Sequence, residues 1–498
     1  MDPLFELTLD MPPKGSRESG RALYRELMAA IRDGRLRPGA RMPATRKAEG
    51  VFGVSRNTAA EVYERLTNEG YLTTRHGSGT FVAETLPARP EPPAPSHDGA
   101  PERRLNRFWL SAETIGAMGF WRDNAEAPAV PTIADFRPAL IDSRLFPFDI
   151  YRRISAKQLR GLEQRPASFK SPQGNQGNHF LRRAITQHIA LTRAVVGRPE
   201  DILVASGAQQ AFDLLARVLV TAGETVVAIE DPGYPPLRVA FAAAGARLVP
   251  VPVDAEGLVV DQLPPDVGVI CVSPSHQFPL GVSMSARRRQ ALIAFARARG
   301  AVIVEDDYDG EFRYEGHPLK ALRTAEAADV VFYVGTFSKC MLPALRLGFV
   351  VAPDWAMPTL TAAKNCLDWH CAIPVQLGVS GFIAEGHLAR HVRKMRQVYR
   401  QRRQRLLMRL HKDLSPWLRP IPSFYGMHVA ALARAPLDLE PVAEALLGSG
   451  VKIHTLDRYF LGAPTLTGLV FGYGAADTDG IDQGLSLLRD ALQMAAPA

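Results

Sequence analysis

FYVGTFSKCMLPALRLGFVVAP, residues 332–353, sets an apolar strand-like run against small hydroxyl residues and a lysine, with an arginine seven positions beyond that lysine. A lysine amine buried at a strand end loses solvation, its pKa falls, and it can form a Schiff base with an aldehyde. Lys339 is the candidate for that chemistry. Thr336, Ser338 and Arg346 are spaced to hold a phosphate, by hydroxyl donation and by the guanidinium fork.

Upstream, AVIVEDDYDGEF (301–312) puts Asp306 and Tyr308 just past another apolar run. A carboxylate facing a pyridine nitrogen keeps it protonated and makes the ring an electron sink, while a tyrosine hydroxyl can hydrogen-bond a phenolic ring oxygen. Asp307 competes for the carboxylate role, and alternation along the strand leaves both open. ILVASGAQQAFDLLARVLV (202–220) runs strand, turn, helix, so that Gly207, Ala208 and Gln209 offer backbone N–H groups and a helix N-terminus to a phosphate. Tyr234 in EDPGYPPLR (230–238) is placed to stack on a ring, and CVSPSHQFPLG (271–281) brings His276 and Gln277 beside it.

These segments sit in a regular alternation. Val- and Ile-rich runs at 202–205, 225–229, 268–272, 301–304 and 331–334 are separated by helical patterns such as 210–220 and 286–298. Such alternation predicts parallel strands covered on both faces by helices, with ligands at the carboxyl ends of the strands. Taken singly, each segment has an ordinary reading as a solvated lysine, an acidic loop or a plain turn. Their number and order argue for a site.

The start of the chain is different in texture. Residues 21–33 place Leu23, Leu27, Ala30 and Ile31 on one helical face, and GRLRPG (34–39) ends that helix. A short second helix is expected to start at Thr45 as its N-cap. Gly53 turns the chain, Ser55 caps a third helix with Ala59, Val62, Tyr63 and Leu66 on one side, and Gly70 stands where a C-terminal cap belongs. Arg56, Asn57 and Thr58 then face outward from the first turn of the third helix, residue types that suit base edges and phosphates in a major groove. YLTTRHGSGTFV (71–82) reads as two short strands, a wing whose tip carries Arg75, His76 and Gly77.

The chain has 498 residues, 46% of them hydrophobic, enough for more than one core. A charge of +8 from 59 basic and 51 acidic residues permits nucleic-acid contact without requiring it. LPARPEPPAPSHDGAP (86–101) has little to bury and reads as a linker extending to about residue 130, giving expected units at 1–85, 86–130 and 131–498. Cys271, Cys340, Cys366 and Cys371 show no paired spacing, which argues against a disulfide framework or a metal site and for reduced thiols. MDPLFELTLDMPPKG lacks the basic start and apolar run of a secretion signal, and no stretch reaches membrane-spanning length. A cytoplasmic protein with no membrane partner is expected.

Residues 23–82 resemble the DNA-binding domain of the GntR family of bacterial regulators, most plainly in GRLRPGARMPATR, VSRNTA and EGYLTTRHGSGTFV. Arg46 is in place, whereas Met42, Ala44, Thr45 and Lys47-Ala48-Glu49 depart from the usual pattern around the second helix. From about Ile133 onward the order of motifs resembles the type I fold of pyridoxal-phosphate (PLP) aminotransferases. The two together, with EDPGY, SHQFPLG, EDDYDGEFRYEG, GTFSK, LRLG and HVRKMRQVYRQRR, resemble the MocR/GabR subfamily.

The resemblance implies a winged helix-turn-helix domain joined to an α/β PLP-binding domain. It implies PLP held as an aldimine on Lys339, with Asp306, Tyr308, Thr336, Arg346, Gly207, Ala208, Gln209, Tyr234 and His276 around it. It further implies a homodimer on a double-stranded operator, contacted through Arg46, Ser55, Arg56, Asn57, Thr58, Arg75, His76 and Gly77, and a response to PLP or to an amine or amino-acid effector. An aminotransferase that keeps a DNA-binding appendage is the alternative, and residual transamination stays open. Two departures bear on it: Phe278 stands where aminotransferases usually have asparagine, and TGLVFGYG (467–474), the stretch matching their carboxylate-gripping arginine, has no arginine.

Overall fold

The computed structural model describes residues 9–13, 16, 18–86, 105–111, 114, 130–164, 174–315 and 319–495. They fall into two compact units, Met1–Pro101 and Glu102–Ala498. Most of the stretch read as a linker lies outside the described residues.

In the first unit, α1 (Ser19–Arg32), α2 (Ala48–Phe52) and α3 (Arg56–Asn68) are followed by the hairpin of β1 (Leu72–Arg75) and β2 (Gly79–Val82). The apolar faces legible in the sequence are the ones that close: Leu23, Leu27, Ala30 and Ile31 pack with Ala59, Val62, Tyr63 and Leu66 in one core. Ser55 caps α3, its hydroxyl accepting from the Thr58 N–H at 3.2 Å. The expected cap at Thr45 is not formed. Thr45 begins a 3-10 turn, Thr45–Lys47, whose cap residue is Ala44 with no side-chain bond, and α2 starts only at Ala48. Burial of Ala48 and Phe52 in the shared core and the left-handed Gly53 at its C-terminus, rather than a side-chain N-cap, therefore anchor this short helix. Met42 is buried as well, its N–H donating to the Thr80 carbonyl beside the wing.

The second unit is built on an eight-stranded sheet. Its order is Ile202–Ala205, Gly348–Val351, Val331–Thr336, Val302–Asp307, Val267–Val272, Val226–Asp231, Arg247–Asp254 and Gly257–Leu258. Successive residues of one strand serve opposite faces. Val227 and Ile229 join the core under helices Ala208–Leu219 and Pro235–Ala243, while Val226 and Ala228 join the core under Ala286–Arg299. The central five strands from Val331–Thr336 to Arg247–Asp254 are parallel as expected. Gly348–Val351, which is not among the runs read as strands in the sequence, makes the sheet mixed while Ile202–Ala205 keeps the direction of the others. Gly348–Val351 runs antiparallel to both neighbours, because it returns directly after the turn that carries Lys339 and Arg346.

A second, antiparallel sheet of Leu418–Pro420, His428–Ala433, Gly468–Gly472 and His454–Thr455 packs against helices His387–Lys412 and Thr478–Ala495 around a separate core. The four cysteines are free. Among the described residues, no helix is long and apolar enough to cross a membrane.

Candidate functional site

At the carboxyl ends of the parallel strands lies a cavity of about 360 Å³. It gathers Ala208, Gln209, Tyr234, Asp306, Tyr308, Thr336, Ser338, Lys339 and Arg346 from segments that span 139 positions of sequence. Lys339 follows the strand Val331–Thr336, and its ammonium donates to the Ala139 carbonyl at 2.5 Å. Burial pulls the Lys339 amine down to about 8, helped by the Arg346 charge and opposed by Asp309 and Asp306.

One end of the cavity is built for an anion. Gly207 adopts φ +82° as it enters helix Ala208–Leu219, whose first N–H groups have no carbonyl partners within the helix. A Cβ at Gly207 would lie 2.9 Å from Nη2 of Arg346, so only glycine lets that guanidinium close over the turn. Arg346 donates to the Ser206 carbonyl at 3.2 Å, and the Thr336 and Ser338 hydroxyls bond to each other at 3.0 Å. Gln209 is fixed by donation to the Pro236 carbonyl at 2.9 Å, which leaves its own side-chain oxygen without a partner.

The other groups sort by environment. Asp306 is 4% exposed and lines the cavity, with Oδ1 unpartnered. Burial, together with Asp307 and Asp309, holds its carboxyl well above the usual range despite Lys339. Asp307, the rival in the sequence, turns away: it accepts from Arg193 at 2.6 and 3.1 Å and from the Tyr333 hydroxyl at 2.6 Å. Tyr234 and Phe278 meet edge to face, 5.4 Å between ring centres, and Phe278 meets Tyr308 in the same manner at 6.0 Å. His276 is among the described residues but not among those lining the cavity. It lies behind Tyr308, within 2.9 Å of both the Tyr308 hydroxyl and Asp309, and Gln277 is likewise buried away from the cavity, donating to the Pro232 and Phe278 carbonyls. His276, Asp309 and His428 converge closely enough to suit a metal ion, but Nδ1 of His276 and Oδ2 of Asp309 are spent on each other.

Pro138, Ala139 and Leu140 complete the wall, and sequence reasoning missed them. Ala139 sits at φ +66°, where glycine is the usual occupant, so no residue type announced the turn. The segment is pressed against the stretch that lacks the arginine. A Cβ at Gly472 or Gly474 would lie 2.3 Å from the Arg137 carbonyl oxygen or 1.9 Å from that of Leu140.

In the first unit the candidate DNA-contacting residues share one character. Arg46, Ser55, Arg56, Asn57, Arg75, His76 and Gly77 are exposed, and Thr58 is half-buried. Ser55 and Thr58 are occupied by the cap of α3, their hydroxyls 2.9 Å apart. Arg75 pairs with Glu84 at 2.8 Å and stacks on Phe81, which holds its side chain along the wing.

Comparison with known proteins fits this division. Residues 20–82 match the family described as "Bacterial regulatory proteins, gntR family", and residues 152–458 match "Aminotransferase class I and II". The chain is 33% identical over 474 residues to the probable rhizopine catabolism regulatory protein MocR of Rhizobium meliloti, covering 95% of this chain and 93% of that one. It is 30% identical over 493 residues to the pyridoxine biosynthesis transcriptional regulator PdxR of Corynebacterium glutamicum, covering 99% and 100%. Among solved structures, the α-aminoadipate aminotransferase LysN of Thermus thermophilus, complexed with N-(5'-phosphopyridoxyl)-L-leucine, superposes with a TM-score of 0.66 at 28% identity. That match covers 72% of this chain and 92% of LysN. With a GntR-type helix-turn-helix unit ahead of a class I/II aminotransferase unit, and full-length likeness to MocR, the chain belongs to the MocR-type regulators of the GntR family.

Proposed function

We propose that this protein is a DNA-binding transcription regulator that uses pyridoxal phosphate, held at Lys339, as its sensing group. The observation that carries the reading is the pairing, across one cavity, of a lysine amine lowered to about 8 with a buried Asp306 oxygen that has no partner, next to an anion-binding turn. When bound, PLP supplies an aldehyde for covalent attachment and a ring that withdraws electrons.

This chain's own residues would do the rest. The helix N-terminus at Gly207–Gln209, with Ser338 and Arg346, binds the phosphate. Asp306 would hold a proton on the pyridine nitrogen, Tyr234 and Phe278 would wall the ring, and the Tyr308 hydroxyl would hydrogen-bond its phenolic oxygen. Lys339, neutral in an appreciable fraction near pH 7, provides the amine. Arg56 and Asn57, with Arg46 and the wing residues Arg75, His76 and Gly77, read and grip a double-stranded operator, while Ser55 and Thr58 shape the start of α3.

We further propose that the protein acts as a homodimer, in keeping with repeated operator sites. Its effector is PLP itself or a small amine or amino acid that competes for Lys339, and it works without physiological turnover. The test is a mobility-shift assay on the gene's own upstream DNA, with and without PLP and candidate amines. Lys339→Ala is expected to bind DNA and lose the response; an undiminished response would refute the reading.

A further inference from the structure

Behind Tyr308 the structure holds a buried chain of titratable groups that the reading above does not use. The Tyr308 hydroxyl lies 2.9 Å from Nδ1 of His276 and donates to the His276 carbonyl at 3.0 Å. The same Nδ1 lies 2.9 Å from Oδ2 of Asp309, which also accepts from the Met427 N–H at 3.1 Å. The His428 ring packs 4.4 Å from that of His276 and gives its Nε2 hydrogen to the Pro279 carbonyl at 2.9 Å, so its Nδ1 carries only a lone pair. All three side chains are at most 2% exposed, and Nε2 of His276 has no partner.

We propose that His276 and Asp309 are positioning residues that set the direction and the proton of the Tyr308 hydroxyl facing the cofactor; this rests on the placement of PLP at Lys339. One Nδ1 atom serves two neighbours, and that is the device. With Asp309 neutral, its O–H donates to Nδ1, the imidazole hydrogen sits on Nε2, and the Tyr308 hydrogen goes to the His276 carbonyl. When Asp309 releases its proton to solvent, the imidazole stays neutral and its hydrogen shifts to Nδ1. It is then shared between the carboxylate and the tyrosine oxygen, which alters how the hydroxyl can turn toward the ring.

The surroundings allow this switch in a useful range. Burial raises the Asp309 carboxyl to about 8, with Asp307 and Glu311 adding to it and His428 and the Met427 amide opposing. Burial and the Arg403 charge lower His276 to about 3, and burial and His276 lower His428 to about 3, so both imidazoles stay neutral. Asp306, Glu230 and Tyr473 also face Tyr308, and none of them bonds to its hydroxyl.

The experiment is a pH titration of the absorbance bands of the full chain loaded with PLP, read for Asp309→Asn and His276→Gln alone and in a Tyr308→Phe background. In Asp309→Asn the side-chain amide donates to Nδ1 at every pH and the Tyr308 hydrogen stays on the His276 carbonyl, so the cofactor's phenolic oxygen loses a donor. Asp309→Asn is therefore expected to raise the titration midpoint by about one pH unit, and His276→Gln is expected to shift it comparably although the carboxylate remains. With Tyr308→Phe already present, neither change adds a further shift, and Asp309→Glu restores the original midpoint. Equal shifts with and without Tyr308, or no shift in a variant that still holds PLP, overturn the relay. If Asp309→Asn does not fold, the His276→Gln and Tyr308→Phe cycle decides alone. Lack of a borohydride-reducible adduct on Lys339 in the unmutated protein overturns the placement of PLP and the relay with it.

Discussion

The cavity of the large unit and the reading face of the small one handle charge in opposite ways. Around Lys339, charged groups are stripped of water, and burial is the leading cause of every shift: Lys339 down, Asp306 and Asp309 up. On the small unit, Arg46, Arg56, Arg75 and His76 stay exposed. Desolvation makes a few groups reactive and interdependent. Solvation keeps the exposed arginines screened by salt and free to trade water for phosphate.

That contrast can be broken most directly at Lys339. Lys339→Ala is expected to abolish both the visible absorbance of the PLP-loaded protein and the borohydride-trapped adduct, with DNA binding retained. Persistence of both signals would move the attachment point elsewhere. Next comes the buried support behind the cavity, where Arg193 is 5% exposed and grips Asp307 through two bonds while also reaching Ser275 and the Leu319 carbonyl. Arg193→Met leaves a buried carboxylate uncompensated and is expected to cost about 3–5 kcal/mol in denaturant unfolding. A loss comparable to that of an exposed ion pair would show that this interior is wetter than its packing indicates.

The acid-base character of the cavity sharpens the contrast at the next scale. Condensation with an aldehyde requires the free amine, and Lys339 loses its proton near pH 8. Half of the amine is free at pH 8 and about one-hundredth at pH 6, so uptake of PLP by apoprotein is expected to slow roughly fiftyfold from pH 8 to pH 6 and to level off above pH 8. Rapid-mixing absorbance measures this directly, and a rate still rising steeply beyond pH 9 would contradict it. The smallest effects belong to the exposed face. Arg56→Ala is expected to weaken operator binding by about 1–3 kcal/mol in a gel-shift titration, with the PLP spectrum unchanged. An altered spectrum would mean that the two chemistries are not separable.

Much of this was legible because it is local. The eight core positions named for α1 and α3 follow from helical periodicity alone, and the Lys339 and Arg346 turn follows from strand, hydroxyls and spacing. What escaped depends on residues far apart in sequence. The direction of Gly348–Val351 is set by its partners, not its composition. Asp306 and Asp307 look alike on paper, and only the approach of Arg193, 114 positions away from Asp307, separates them. His276 carries the chemistry of a site residue, yet the ring of Tyr308 stands in front of it. Thr45 is a good cap by type, but the turn begins one residue too early for its hydroxyl.

The glycines at 472 and 474 limit what this stretch can carry. An arginine at either position would drive its first carbon into the Arg137 or Leu140 carbonyl, displacing the segment whose Ala139 oxygen holds Lys339. At Val470 or Phe471, both fully buried among apolar side chains, a guanidinium would find no water. A carboxylate grip therefore cannot be installed at Gly472 or Gly474 by one substitution without moving the segment whose carbonyl holds the lysine, so the geometry that positions the amine also forbids the guanidinium there.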